Sequence, residues 1–240
     1  MAIYLITGAS SGIGEQLARQ AVARGHKVYG VARRKDKLDE LARELGAAFL
    51  PLAADVADKA SILDALGGLP ELPDVAFCNA GVGDLERSTS FDVSLHERIF
   101  AVNYFGALNV VQGLFGPMAA RGRGTFAATS SLAGYRGLPG AAAYTASKAA
   151  ISTAFESLRL TCHKTGLRFV TVHPGFIATP MTQNNEFPMP FLWSAPKAAG
   201  RILDGVERGR LHINFPWPVH LAVTLGRLAP AWLYWRFMRR

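Results

Sequence analysis

Cysteine is nearly absent: Cys78 and Cys162 are the only two in 240 residues. Two thiols cannot build a disulfide framework, and no Cys/His spacing resembles a zinc site, so no metal is expected. The opening MAIYLITGAS lacks the basic start, apolar middle and cleavage site of a secretory leader, and reads as a strand entering a turn. A reduced, cytoplasmic protein is the expectation. Acid is scarce too, with 18 Asp and Glu against 26 Lys and Arg, for a formal charge of +8. The last 27 residues hold no acid at all and carry +4 through Arg227, Arg236, Arg239 and Arg240. Since the rest of the excess is scattered among acids, a basic groove for nucleic acid is not expected. Repeats, low-complexity blocks and Ser/Gly linkers are also missing. With 50% hydrophobic and 18% charged residues, the composition is that of a globular chain.

What is present is an alternation of short β-branched runs with longer amphipathic ones. Strands are expected at 2–7, 27–32, 47–52, 74–78, 124–129, 168–173 and, by a weaker pattern, 211–214. Helices are expected at 12–24, 35–45, 58–67, 92–119 with a break, 141–164 and 196–208. Such βαβ alternation predicts an α/β fold, a doubly wound Rossmann-type parallel sheet of about seven strands with helices on both faces. Ligands of such sheets bind beyond the carboxyl ends of the strands. Residues 1–214 are read as one dinucleotide-binding and catalytic domain with a substrate loop at about 180–195, and 215–240 as an aromatic, basic extension of it.

The stretch ITGASSGIGEQLA, residues 6–18, follows the first strand and opens the first helix. Gly8, Gly12 and Gly14 would let the backbone turn sharply toward a pyrophosphate held at the helix N-terminus, with Ser10, Ser11 and Ile13 as further contacts. The second strand ends in Ala32, Arg33 and Arg34, where an NAD site usually carries an acid for the ribose 2′-hydroxyl. An isolated arginine pair is ordinarily a solvated turn. After a dinucleotide turn, guanidinium groups suit a 2′-phosphate, so NADP(H) is expected over NAD(H).

In AAAYTASKAA, residues 141–150, Tyr144 and Lys148 stand four apart and so share one helical face. Six Tyr and seven Lys give roughly 0.2 chance pairs at this spacing, so the surroundings decide. A phenol of pKa about 10 carries too little phenolate at neutral pH, and a neighbouring ammonium is expected to make it more acidic. Ser131 precedes Tyr144 by 13 residues, and Asn103 lies in the preceding helix. His173 is expected to serve strand-end packing or a local hydrogen bond.

Taken together, Thr7-Gly8-x-x-x-Gly12-x-Gly14, Asp55, Asn79-Ala80-Gly81, Asn103, Ser131, Tyr144-x-x-x-Lys148, Pro174-Gly175 and Thr179 resemble the short-chain dehydrogenase/reductase family in its compact single-domain branch. The resemblance spans residues 5 to about 180. It implies that Tyr144 is the acid/base, that Lys148 holds the nicotinamide ribose, that Ser131 holds the substrate oxygen, and that Asn103 feeds a proton relay through Lys148. It further implies that Asp55, with Val56, meets the adenine, that Asn79, Ala80 and Gly81 line the cofactor, and that Pro174, Gly175, Ile177 and Thr179 border the nicotinamide. A homo-oligomer, a dimer or tetramer, is usual in the family, and the apolar faces near 100–118 and 149–160 fit that.

The loop PMTQNNEFPMPFLWSAP carries Phe187, Met189, Phe191, Leu192 and Trp193, which suggests a hydrophobic alcohol or ketone if they face the substrate. Core or subunit packing would use the same residues. The tail adds Trp217, Trp232, Tyr234, Trp235 and Phe237, with Arg227 and Pro230 leaving each apolar part too short to span a membrane. Peripheral contact with an anionic membrane, a wall over the substrate and a dimer contact compete for it. Two other functions compete for the chain. A cofactor-binding regulatory or scaffold protein would ordinarily lose the Tyr or Lys, and an epimerase or dehydratase of the extended branch would need a further substrate domain.

Overall fold

A strand buried on both faces needs apolar side chains at every position, and the first strand, IYLIT, supplies them. In the computed structural model, which describes residues 1–86, 89–185 and 187–238, with the Phe237 side chain set aside, this strand is β1 (Ile3–Thr7). Arg239 and Arg240 of the basic tail lie outside the described residues. The chain continues through α1 (Gly12–Ala23), β2 (Lys27–Ala32), α2 (Lys35–Leu45), β3 (Phe49–Ala53), α3 (Lys59–Gly67) and β4 (Val75–Cys78). Next come α4 (Val93–Phe100), α5 (Gly106–Ala120), β5 (Gly124–Thr129), α6 (Ala142–Thr161) and β6 (Leu167–Pro174). A two-residue pair, β7 (Ile177–Ala178) and β8 (Trp193–Ser194), precedes α7 (Ala195–Glu207), β9 (His212–Phe215), α8 (Trp217–Leu228) and α9 (Ala231–Met238).

Among the described residues the main sheet has seven strands, all parallel, in the order β3-β2-β1-β4-β5-β6-β9. The order reverses between β1 and β4, and at such a switch a crevice opens beyond the strand ends. Side chains alternate across the sheet. Tyr4, Ile6 and Val28 face α1, α2 and α7, where Leu17, Leu38 and Ile202 meet them. Leu5, Tyr29 and Val31 face α3, α5 and α6, with Ile62, Leu114 and Phe155. Phe169 anchors that second layer, 5.3 Å from the Phe126 ring and 5.5 Å from Phe155.

Local chemistry sets the element ends. The Asp58 carboxylate caps α3 by accepting from the amides of Ala60 and Ser61, and Ser194 caps α7 just ahead of Pro196. The expected break in the 92–119 helix is a π-helical turn over 101–105, so α4 and α5 run on as one rod. That rod, Val93–Ala120, is long and apolar enough to cross a membrane by length and composition. It packs as a core helix against α3, and its α4 portion against α6. The third strand begins at Phe49, two residues later than expected, because 46–48 form a 3₁₀ turn.

The tail is helical on both sides of Ala229–Pro230. Arg136 fastens it by donating to the carbonyls of Gly226 and Ala229, and its guanidinium lies 4.0 Å from the Tyr234 ring centroid. The Tyr234 hydroxyl donates to the Gly137 carbonyl at 2.7 Å.

Candidate active site

Loops following six strands meet at the carboxyl edge of the sheet around a cavity of ≈ 320 Å³. At the end of β1 the backbone takes left-handed conformations at Gly8 (φ +71°) and Gly12 (φ +59°), which admit an L side chain only with strain. Ser10, Ser11, Gly12 and Ile13 line the cavity with Gly8, at the N-terminus of α1. Ser11, the N-cap residue, makes no side-chain capping bond, so the first-turn amides of α1 are open to an acceptor. Gly14 does not line the cavity, contrary to expectation. A Cβ there would come within 2.2 Å of the Gly8 carbonyl oxygen, so this glycine lets the helix start pack on the turn.

Asn79 ties that turn to the sheet. Its Nδ2 donates to the Thr7 carbonyl at 3.1 Å, while Thr7 Oγ1 accepts from the amides of Asn79 and Ala80, each at 3.0 Å. Thr129 Oγ1 donates to Asn79 Oδ1 at 3.2 Å. Three strands are thereby stitched beneath the cavity, whose wall includes Asn79, Ala80 and Gly81.

The other end of the cavity is lined by Arg33, Arg34, Asp55 and Val56. Arg34 donates to Ser10 Oγ at 2.9 Å and Ser11 Oγ at 2.8 Å, which sets one guanidinium across the glycine turn. Arg33 is mostly exposed, with its Nη1 3.8 Å from Asp55 Oδ2. The other Asp55 oxygen accepts from the Ala57 amide at 3.0 Å, closing the turn before α3.

Tyr144 and Lys148 project from the first turns of α6 into the cavity with Ser131. Lys148 is only 4% exposed; its Nζ donates to the Thr129 carbonyl at 2.9 Å and lies 5.6 Å from the Tyr144 ring centroid. Burial pushes this ammonium down to about 8. Burial also raises the Tyr144 phenol above its ordinary value, although part of the ring opens to the cavity, and a hydrogen bond with Ser131 works in the opposite direction. The expectation that Lys148 makes Tyr144 acidic is therefore not met by the chain's own groups. Removal from water outweighs the Ser131 hydrogen bond and favours the neutral phenol. Ser131 Oγ also accepts from the Ala133 amide at 3.1 Å, which fixes its position.

Asn103 stands in the π-turn, behind the cavity wall. Its Oδ1 accepts from the Val82 amide at 2.8 Å, and its Nδ2 donates to the Val82 carbonyl at 2.9 Å and to Ser147 Oγ at 3.0 Å. It meets Lys148 across Gly81, where an added Cβ would lie 3.3 Å from both Asn103 Oδ1 and Lys148 Nζ. Ordinary helical winding would rotate Asn103 away, so the π-turn is what aims it.

Pro174, Gly175, Ile177 and Thr179 complete the lining. Sequence reading did not single out Val82, Ser130, Met181 and Thr182, which also face it. Ser130 was discoverable from its neighbour Ser131, and its Oγ donates to the Lys148 carbonyl at 2.8 Å. Val82, Met181 and Thr182 sit in irregular backbone with no periodic signal. The loop's apolar residues divide: Phe187, Phe191 and Leu192 are exposed, whereas Trp193 stacks on Phe215 at 5.1 Å and belongs to the packing beneath. His173 stays outside the cavity, bonded to Asn214 Oδ1 at 2.9 Å and Ser152 Oγ at 3.1 Å, and burial holds it down at about 4. No group of three or more His, Cys, Asp or Glu residues that could hold a metal occurs among the described residues.

The pattern of the short chain dehydrogenase family matches residues 2–188. An uncharacterized oxidoreductase of Myxococcus xanthus is 36% identical over 98% of this chain and 96% of its own. Among solved structures, a short-chain dehydrogenase from Sphingobium yanoikuyae in complex with NADPH superposes with a TM-score of 0.83. It is 26% identical and the match covers 95% of this chain and 92% of that one. A 3-oxoacyl-acyl-carrier-protein reductase with bound NAD from Brucella melitensis gives 0.77 at 27% identity, covering 84% and 82%.

Proposed function

We propose that this chain, which belongs to the short-chain dehydrogenase/reductase family, interconverts a carbonyl and an alcohol on a hydrophobic small molecule with NADP(H) as cofactor. Nicotinamide-dependent oxidoreductase chemistry is the activity of the family; its relatives bind NADP or NAD. The preference for NADP(H) is supported by Arg34 lying over Ser10 and Ser11, with Arg33 beside it. Two guanidinium groups there suit a 2′-phosphate, and no carboxylate replaces Ala32 at the end of β2. The glycine turn fits a pyrophosphate because it brings backbone and open helix amides to the cavity.

When bound, the nicotinamide supplies or accepts the hydride. Ser131 Oγ and the Tyr144 hydroxyl then hold the substrate oxygen, and Tyr144 gives its proton to that oxygen in reduction or takes one in oxidation. Burial keeps the phenol protonated, which suits donation near neutral pH. Lys148 as an ammonium would hold the nicotinamide ribose hydroxyls and restore the proton through Asn103, which it faces across Gly81. Met181 at the cavity wall and the exposed Phe187, Phe191 and Leu192 of the loop support an apolar substrate. We expect a homo-oligomer, in keeping with the exposed Phe105 in the π-turn and Leu160 on α6.

The observation that carries this reading is the common placement of Ser131, Tyr144 and Lys148 in the wall of the glycine-turn cavity. Its test is NADPH oxidation against a panel of lipophilic ketones and aldehydes, with Tyr144→Phe as control. Turnover should fall by at least about a hundredfold in that variant while NADPH still binds. Substantial reduction by the variant would place the acid elsewhere.

A further inference from the structure

Helices bordering a globular body ordinarily turn their apolar side inward, and α8 does not keep to this rule. Trp217, Leu221, Leu225 and Leu228 are all exposed, Trp217 by 74% and Leu228 by 78%. At 100° per residue they fall within an arc of about 80°, forming one stripe about 16 Å long. Trp232, 68% exposed, carries apolar surface on into α9. The inner side is already committed. Tyr135 and Asn214 hydrogen-bond His220, Tyr234 holds the Gly137 carbonyl, and Arg136 holds the end of α8. The outward stripe is therefore an apolar face on an element already fixed to the body by polar contacts on its other side.

Charge identifies what covers it. Glu207 is the last acid in the sequence, and the 33 residues after it include six arginines. Arg227 and Arg236 are exposed on α8 and α9. A second copy packed stripe to stripe would bring together two basic helix pairs with no carboxylate of α8 or α9 between them. Helices of 12 and 8 residues parted at Pro230 cannot span a bilayer, which needs about 20 residues. A short helix with aromatic and leucine residues outward and arginines beside them suits the boundary between anionic headgroups and acyl chains.

We propose that the successive helices α8 and α9 dock this protein on an anionic lipid surface, with Trp217, Leu221, Leu225, Leu228 and Trp232 entering the headgroup boundary. The helix pair leaves the sheet at the carboxyl end of β9, the edge at which the cavity opens. Docking does not depend on the oxidoreductase reading, since its readout is binding alone.

The experiment is flotation of the full chain with phosphatidylcholine vesicles, with and without a minority of phosphatidylglycerol, at low and physiological salt. The chain should float with the anionic vesicles, less so as salt rises. The triple change Trp217→Gln, Leu225→Gln, Trp232→Gln should weaken this about tenfold or more with an unchanged melting temperature. Arg227→Gln with Arg236→Gln should weaken it about fivefold per charge and flatten the salt dependence. Equal failure to float with both vesicle types overturns the proposal, as does undiminished flotation of the triple variant. An oligomer that the triple variant dissociates, in a chain that ignores vesicles, overturns it in favour of a second copy.

Discussion

Tyr144 and Lys148 show what one residue pair discloses in sequence and what it withholds. Their spacing fixes a shared helical face, and Ser131 follows from its position after the fifth strand. Their proton affinities were not legible, because these depend on the Thr129 carbonyl and on the residues that close round α6 from elsewhere in the chain. A consequence is open to measurement. Lys148 is an ammonium below pH about 8 and loses its charge above it, so reductive kcat/KM should be level below that point and fall beyond it. Lys148→Arg should carry the falling limb out of range; a flat profile to pH about 10 in the parent would contradict this. Arg33 offers a second measurement. Replacing it by Asp should shift the kcat/KM ratio for NADPH over NADH by roughly tenfold or more toward NADH, through a lost charge-assisted bond and an added repulsion. Unchanged relative KM values would remove the argument for a phosphate site at that position.

The strands β1 to β6 and the helices between them were read from the sequence within a few residues, because the strands are short runs rich in apolar residues and the helices are amphipathic. The exceptions have local causes. The π-turn that aims Asn103 adds no residue type that periodicity detects, and β7 and β8 are two residues each, held by one another and by Trp193 on Phe215. His173 at the end of β6 joins α6, through Ser152, to β9, through Asn214. Its imidazole is held down at about 4 by burial, against about 6.5 in an unfolded chain. The unfolded chain therefore takes up a proton first as pH falls. Stability is fully present above about 6.5 and is lost on acidification toward 4, by roughly 3 kcal/mol at about 1.4 kcal/mol per unit. Urea midpoints across that window should drop in the parent and less in His173→Gln. Equal slopes would assign the acid sensitivity to other groups.

For the whole molecule, the alternation of short β-branched and longer amphipathic runs foretold an α/β layer structure, and the seven parallel strands among the described residues fit it. The disposition of the last 26 residues was not legible, since their aromatics and arginines suited several roles until burial separated inner from outer faces. The stitched floor of the cavity, Thr7 to Asn79 to Thr129, leaves rearrangement to the rim formed by the loop after Thr179. The terminal pair α8–α9 is fastened in part by Arg136, a side chain some 90 positions earlier in the chain. Arg136→Ala should turn it into a protease-sensitive arm, with trypsin cutting after Arg227 well before the sheet is attacked, as mass spectrometry of timed digests would reveal. Resistance equal to the parent's would mean that the helices grip the body without it. Because this guanidinium is one of the ties, loss of the C-terminus in a variant can originate from a change midway along the gene.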